Sequence, residues 1–182
     1  MYTKEEEIIH FIFIAFQNQK RKKENIDLTF HSVMVGNMLK NMNCDDNIVN
    51  TGYLHDVIED TNYTHEDLEK SFGKELADNV LKLSENQKIT NYKERKEEFI
   101  NRIKTYDTGL IYVELADKLQ NLISDYDLFL KYGKSVVTTN NTSFEDTKWY
   151  YKTLKSIFNE RLKNNSFLER YNCIYELYFE GK

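Results

Sequence analysis

An all-α bundle of about eight to ten helices is what this sequence predicts, on three observations. Apolar residues recur at the roughly 3.6-residue spacing of a helix along most of the chain. Capping pairs, Thr3 with Glu6, Thr64 with Asp67 and Ser143 with Asp146, open one segment after another. No segment shows the apolar–polar alternation of a strand, and neither an internal repeat nor a coiled-coil heptad pattern is present. Proline is absent altogether, so Gly, Asn and Asp must end the helices.

Taken in order, the Thr3–Glu6 capping box starts an amphipathic helix that should run to about residue 21, where Lys20, Arg21, Lys22 and Lys23 form a basic turn. Residues 28 to 41 read as a second helix, with Val33, Val35, Met38 and Leu39 as its apolar positions. Asp45 and Asp46 cap a third, from 47 to about 59, with Ile48, Val49, Tyr53, Leu54 and Val57 inward. Thr64 opens a helix to about 71, Gly73 breaks it, and 74 to 83 continues as helix. Residues 84 to 91 are a polar loop ending in Asn91, which caps a charged helix to about 104. An apolar helix from 110 to 124 carries Asp117 and Asn121. Residues 133 to 143 read as the least ordered stretch. Ser143 then starts a long aromatic helix to about 163, and a last helix spans 166 to about 179. Trp149, Tyr150 and Tyr151 read as core, with room for one ring to line a pocket.

At 182 residues the chain is expected to be one domain, long enough for a sizeable core. A hydrophobic fraction of 40% and a charged fraction of 30% are those of an ordinary globular protein. A net charge of -5 argues against a general duplex nucleic-acid binder, yet leaves room for a local basic patch that takes a small anion. The acidic N-terminus does not read as a secretory signal, and no stretch reaches the roughly 18 apolar residues of a membrane span. Cys44 and Cys173 are far apart and outside any CxxC spacing, which fits free thiols in a cytoplasmic protein.

Three segments concentrate the chemistry. They are Leu54-His55-Asp56-Val57-Ile58-Glu59-Asp60-Thr61, Phe30-His31, and Leu115-Ala116-Asp117-Lys118-Leu119-Gln120-Asn121-Leu122. Two imidazoles and two carboxylates, with Glu59 and Asp60 in reserve, are the inventory of a metal-assisted phosphate-ester hydrolase. On a regular helix Glu59 and Asp60 follow His55 and Asp56 by one turn and share one broad face with them. Acidic groups at a helix C-terminus are electrostatically unfavourable, and a bound cation would relieve that. Taken singly the residues stay ambiguous. The acidic run also fits an exposed helix end, His31 a buried hydrogen-bonded histidine, and Asn121 an ordinary polar contact. Asp117, among apolar neighbours, needs a partner or a metal.

Together, His31, His55-Asp56 and Asp117 resemble the H…HD…D signature of the HD-domain phosphohydrolases. The H-D-x-x-E-D-T run, the trailing Ser71-Phe72-Gly73 and the A-D-K-L-x-N-L run are similar to the hydrolase domain of RelA/SpoT-type enzymes, in particular the small stand-alone alarmone hydrolases. The resemblance covers about residues 8 to 125. It implies a single HD-domain helical bundle over 1 to 182, with His31, His55, Asp56 and Asp117 as ligands of Mn2+. It implies Glu59 and Asp60 as the pair that orients and activates the attacking water, and Asn121, Arg21 and Lys22 as nucleotide contacts. The implied reaction is hydrolysis of the 3′-pyrophosphate of guanosine, or adenosine, tetra- and pentaphosphates. Lys20, Lys23, Lys88, Lys93 and Lys118 are further candidates to hold phosphate charge.

The chain also departs from that family. Leu28-Thr29-Phe30-His31-Ser32 replaces the usual Pro-Tyr-x-x-His-Pro, and Leu83-Ser84-Glu85 stands where a Thr-Lys element is usual. Both changes lie near the expected nucleotide pocket and bear on base and phosphate specificity. Two other readings therefore stand beside the first: a phosphatase of another nucleotide such as NADPH, and a low-turnover nucleotide-binding sensor or antitoxin-like partner.

Overall fold

The computed structural model describes residues 2–21, 23–133 and 142–181. Among these described residues ten α-helices follow one another: α1 (Lys4–Ala15), α2 (Leu28–Asn41), α3 (Asp46–Leu54), α4 (Val57–Asp60), α5 (His65–Phe72), α6 (Lys74–Leu83), α7 (Tyr92–Ile103), α8 (Thr108–Tyr132), α9 (Phe144–Arg161) and α10 (Ser166–Tyr175). A π-helical turn, Glu176–Glu180, closes the order. Among the described residues the only β pairing is an isolated bridge between Lys20 and Asp27. The fold is all-α, as the periodicity and capping pairs predict. Most of residues 133 to 143, expected to be poorly ordered, lie outside the described residues.

The caps form where the sequence places them. Thr3 and Glu6 make a reciprocal capping box, Thr64 and Asp67 make another, and Asp45, Asn91 and Ser143 each accept a backbone N–H of the turn they start. Each such cap is worth about 1 kcal/mol, satisfying donors that a helix start leaves orphaned.

Three boundaries differ from the expectation. The first helix ends at Ala15 rather than near 21, because Asn18 adopts a left-handed φ of 65° and turns the chain into the Lys20–Asp27 bridge. The third helix is not continuous to 59: it stops at Leu54, turns through His55 and Asp56, and resumes as the short α4. The apolar helix begins at Thr108, capped by Asp107, and runs on to Tyr132, well past 124.

α2 packs along α3 and α8, and α3 also meets α1, α6 and α8. Val35, Leu39, Tyr53, Leu54, Leu115 and Leu119 are fully buried there. Burying one such aliphatic side chain favours folding by about 1.5–3 kcal/mol. The closeness of α2 and α3 depends on glycine: a Cβ on Gly36 would stand 2.2 Å from the Tyr53 ring. This packing brings the histidine of α2, the turn after α3 and the middle of α8 to one place. C-terminally, Tyr150, Tyr151, Tyr171, Tyr175 and Phe179 form an aromatic layer over α8.

Candidate functional site

His31 sits in the first turn of α2, His55 and Asp56 in the turn between α3 and α4, and Asp117 in the middle of α8. The two imidazole Nε2 atoms are 3.1 Å apart. Asp117 Oδ1 lies 3.1 Å from His31 Nε2 and 3.7 Å from His55 Nε2. The Asp56 carboxylate straddles the pair, Oδ1 at 3.2 Å from His55 Nε2 and Oδ2 at 3.4 Å from His31 Nε2. Donor atoms of His31, His55 and Asp117 all fall within 4.8 Å of one another, and all three residues are buried.

Both rings are oriented from behind. His31 Nδ1 meets Gln120 Oε1 at 2.5 Å, and His55 Nδ1 meets the Gly52 carbonyl at 2.8 Å. Both partners are acceptors, so each Nδ1 carries a proton and each ring turns its Nε2 toward the other, free of that proton. Two lone pairs and two carboxylates facing one small space are mutually repulsive without a cation. The donor set, two imidazoles and two carboxylates, therefore fits a divalent transition ion.

The charges around the cluster agree. Burial favours the neutral acid in Asp117, but Lys118, followed by hydrogen bonds with His31 and His55, holds its pKa well below the usual carboxylate range. Lys118 Nζ donates to Asp117 Oδ2, so Oδ1 is the oxygen that faces the two imidazoles, where it also accepts from Asn121. Asp56 is also lowered: burial opposes its charge most, and His55 together with His31 outweighs it.

The cluster opens into a cavity of about 380 Å³. Asp56, Asp60 and Asp117 line it together with the cations Lys20, Arg21, Lys23 and Lys118, of which Arg21 and Lys23 pair with Glu24 and Asp125 on the same wall; Asn121 and Tyr151 also border it. Of the aromatic trio, Tyr151 thus borders the cavity and Tyr150 borders the smaller cavity beside it, while Trp149 lies under Lys93. Lys88 and Lys93 do not border the main cavity.

The anticipated water-handling pair divides. Asp60 lines the cavity. Glu59 instead accepts from the Glu85 amide and, at 3.2 Å, from the Gln87 side chain, outside the cavity wall. The turn at His55–Asp56 is the reason: it offsets α4 from α3, so the single shared face expected of a regular helix is not formed. Burial, and then Asp56 nearby, push the Glu59 carboxyl up to about 7.

Arg21 and Asn121 are joined rather than separate. Arg21 Nη1 donates to Gln120 Oε1 at 2.7 Å and Nη2 to Asn121 Oδ1 at 3.1 Å, while Nε pairs with Glu24 at 2.8 Å. Asn121 Nδ2 donates to Asp117 Oδ1 at 2.6 Å. Lys22, the other expected basic contact, lies outside the described residues. Sequence reasoning gave no role to Gln120 or Gly52. Gln120 was visible as a polar residue three positions after Asp117, on the same face of an apolar helix. The Gly52 contribution is a backbone carbonyl and has no side-chain signature.

The HD domain family profile matches residues 11–126. A probable guanosine-3′,5′-bis(diphosphate) 3′-pyrophosphohydrolase of Synechocystis is 33% identical over 57% of this chain, and the match spans 14% of that relative. A guanosine-3′,5′-bis(diphosphate) 3′-pyrophosphohydrolase of Drosophila melanogaster, MESH1, is 29% identical over 60% of this chain and 64% of its own length. In three dimensions a Listeria monocytogenes EGD-e protein superposes with a TM-score of 0.73 at 29% identity, over 82% of this chain and 94% of that one. A metazoan ortholog of SpoT that hydrolyses ppGpp superposes with a TM-score of 0.77 over 97% of this chain and 96% of its own, at 24% identity. A profile match that spans most of the helices bearing His31, His55-Asp56 and Asp117 makes this chain a member of the HD domain family.

Proposed function

We propose that this chain is a metal-dependent 3′-pyrophosphohydrolase of guanosine, or adenosine, tetra- and pentaphosphates, acting as a single domain. The observation that carries the reading is the convergence of His31, His55, Asp56 and Asp117 beside a cavity that Lys20, Arg21, Lys23 and Lys118 also line. The curated relatives that bear this activity in their names support the substrate class.

In this reading His31, His55, Asp56 and Asp117 hold Mn2+, which supplies Lewis acidity toward a phosphate oxygen and lowers the pKa of a water. Water adds to the phosphorus next to the ribose 3′ oxygen, the P–O3′ bond breaks, the 3′ oxygen takes up a proton, and pyrophosphate leaves. Asp60, at the cavity wall, orients that water and accepts its proton. Glu59, one residue back and held by the Glu85 amide, sets the field in which Asp60 works and shares the proton load. Arg21, Lys22 and Asn121 bind the nucleotide, and Lys20, Lys23 and Lys118 offset the phosphate charge. Lys118 does so while one of its three N–H donors goes to Asp117.

No helix among the described residues is long and apolar enough to cross a membrane, and Cys44 and Cys173 are free thiols. The free thiols fit a cytoplasmic enzyme.

The test is product analysis with Mn2+ and a panel of ppGpp, pppGpp, ppApp and NADPH. Pyrophosphate and a nucleoside 5′-diphosphate from ppGpp are the expected products. Inorganic phosphate from NADPH with no turnover of ppGpp would move the chain to the phosphatase reading. Tight nucleotide binding with no turnover of any member would move it to the sensor reading.

A further inference from the structure

Gln120 holds two groups with one atom. Its Oε1 accepts from His31 Nδ1 at 2.5 Å and from Arg21 Nη1 at 2.7 Å, two donors that lie 89 and 99 residues away in the chain. The side chain is buried, at 6% exposure. A carbonyl oxygen has two lone pairs, and both are taken here by N–H groups. The amide must point its oxygen at them, because the NH2 end would set donor against donor.

Each contact has a consequence at the cluster. The bond to His31 fixes the proton on Nδ1, so the lone pair is on Nε2, which faces His55, Asp56 and Asp117. The bond to Arg21 fixes one arm of a guanidinium that lines the cavity. The other arm reaches Asn121, which in turn donates to Asp117 Oδ1. Arg21 is thereby tied to His31 through Gln120 and to Asp117 through Asn121. The third contact of Arg21, Nε to Glu24, stays within the loop between α1 and α2.

We propose that Gln120 is a positioning residue that sets the His31 tautomer and the Arg21 guanidinium at once, and so couples cation affinity to binding of the anionic nucleotide. This rests on the metal-dependent reading above. A ligand anion that pulls Arg21 outward weakens the second bond to Oε1 and leaves that oxygen more fully to His31. Conversely, a cation that draws on His31 Nε2 sharpens the Nδ1–H as a donor. The two binding events then meet at one oxygen.

Gln120→Leu removes the acceptor at similar volume, and Gln120→Glu keeps it. Three measurements are made on each: Mn2+ affinity by calorimetry, the His31 tautomer in the metal-free protein by long-range 1H–15N correlation, and kcat and KM on ppGpp. Gln120→Leu should lose about 10–100-fold in Mn2+ affinity, the range for a lost outer partner of a ligating imidazole. It should also shift His31 toward protonation at Nε2 and raise KM. Gln120→Glu should retain the wild-type tautomer and Mn2+ affinity. Combined with Arg21→Gln, the KM effect of Gln120→Leu should be less than additive.

A Gln120→Leu protein with wild-type tautomer and Mn2+ affinity would overturn the proposal. So would a Gln120→Glu protein as impaired as Gln120→Leu, because that pattern marks a packing role. Failure of the underlying metal reading looks different: wild type and His31→Ala would then bind Mn2+ alike.

Discussion

His31 Nε2 and His55 Nε2 face each other at 3.1 Å, with each ring's Nδ1 already spent on an acceptor. Something positive must stand between them. In the absence of a metal, a proton on His55 serves. Burial opposes the imidazolium, but the Asp56 and Asp117 carboxylates lift its pKa well above the usual value. A divalent ion uses the same atoms and must displace that proton.

Metal binding should therefore release protons and weaken as the pH falls. His55→Ala and Asp117→Ala should each lose the ion and nearly all activity, since each removes both a ligand and a neighbour's partner. Elemental analysis of purified variants and calorimetry in buffers of different ionisation enthalpy check this. Full activity after chelation would sink the metal assignment.

Asp60 and Glu59 should behave differently in detail. Asp60→Asn should keep the ion and lose turnover by about a hundredfold or more, the range for a lost general base. Glu59→Gln should also keep the ion, because its amide oxygen can still accept from the Glu85 backbone. It should lose turnover to a similar degree if the proton load is shared. Glu59 sits near 7 without a cation, and a bound cation lowers it. A base must be deprotonated, so kcat should rise with pH along a limb at or below about 7, and that limb should move in Glu59→Gln. Single-turnover rates on ppGpp against pH decide it. An unmoved limb would make Glu59 a support of the 85–87 turn instead.

Much of this architecture was legible in the residues. Caps such as Thr3, Asp45 and Thr64 act locally, so their signals survive without tertiary context. The residues proposed to hold the ion are legible for another reason: singly ambiguous, His31, His55-Asp56 and Asp117 together match the H…HD…D signature of a known family. What failed were the places where long-range contacts decide. Helical periodicity runs through 47 to 59, yet the His55 side chain takes the Gly52 carbonyl and the chain turns there. α8 continues past 124 because the aromatic layer of α10 and the final turn covers its second half, through Tyr126 and Phe129 against Tyr178. Gln120 went unassigned because its partners lie about 90 to 100 residues away.

The α2–α3 contact gives a stability prediction. Ala in place of Gly36 gains about 1 kcal/mol in helix propensity. Its Cβ would press into the Tyr53 ring, which is fully buried and pinned by its hydroxyl to Glu5 and Asn37. Overpacking against a rigid group costs about 1–3 kcal/mol and outweighs the gain. Gly36→Ala should lower Tm, and Mn2+ affinity with it, because α2 carries His31 and α3 leads directly into His55. Gly52→Ala meets the end of the flexible Leu39 side chain and should be closer to neutral. Thermal melts of both variants test the ranking; equal Tm values would count against it.

Glu114 offers a pH-dependent test of the buried charge network beside the cluster. Its side chain is 3% exposed, Oε2 has no hydrogen-bond partner, and Lys118 Nζ stands 3.9 Å away. Burial pushes its pKa up to about 8, with Lys118 offsetting part of the rise and Asp117 adding to it. In the unfolded chain the same carboxyl ionises near 4.5. Between those values the folded state binds the extra proton, so stability contributed by this group is complete below about 4.5 and is lost as pH rises toward about 8. The slope approaches about 1.4 kcal/mol per pH unit at most, and relaxation of Lys118 toward the carboxylate reduces it. Gln at this position has nothing to ionise. Urea unfolding of the metal-free protein should give a stability gap between Glu114→Gln and wild type that widens in favour of the variant from pH 5 to pH 8. Because every other titrating group is common to both proteins, the gap isolates Glu114. Parallel stability curves across that range would mean that Glu114 is ionised throughout and that Lys118 compensates its burial fully.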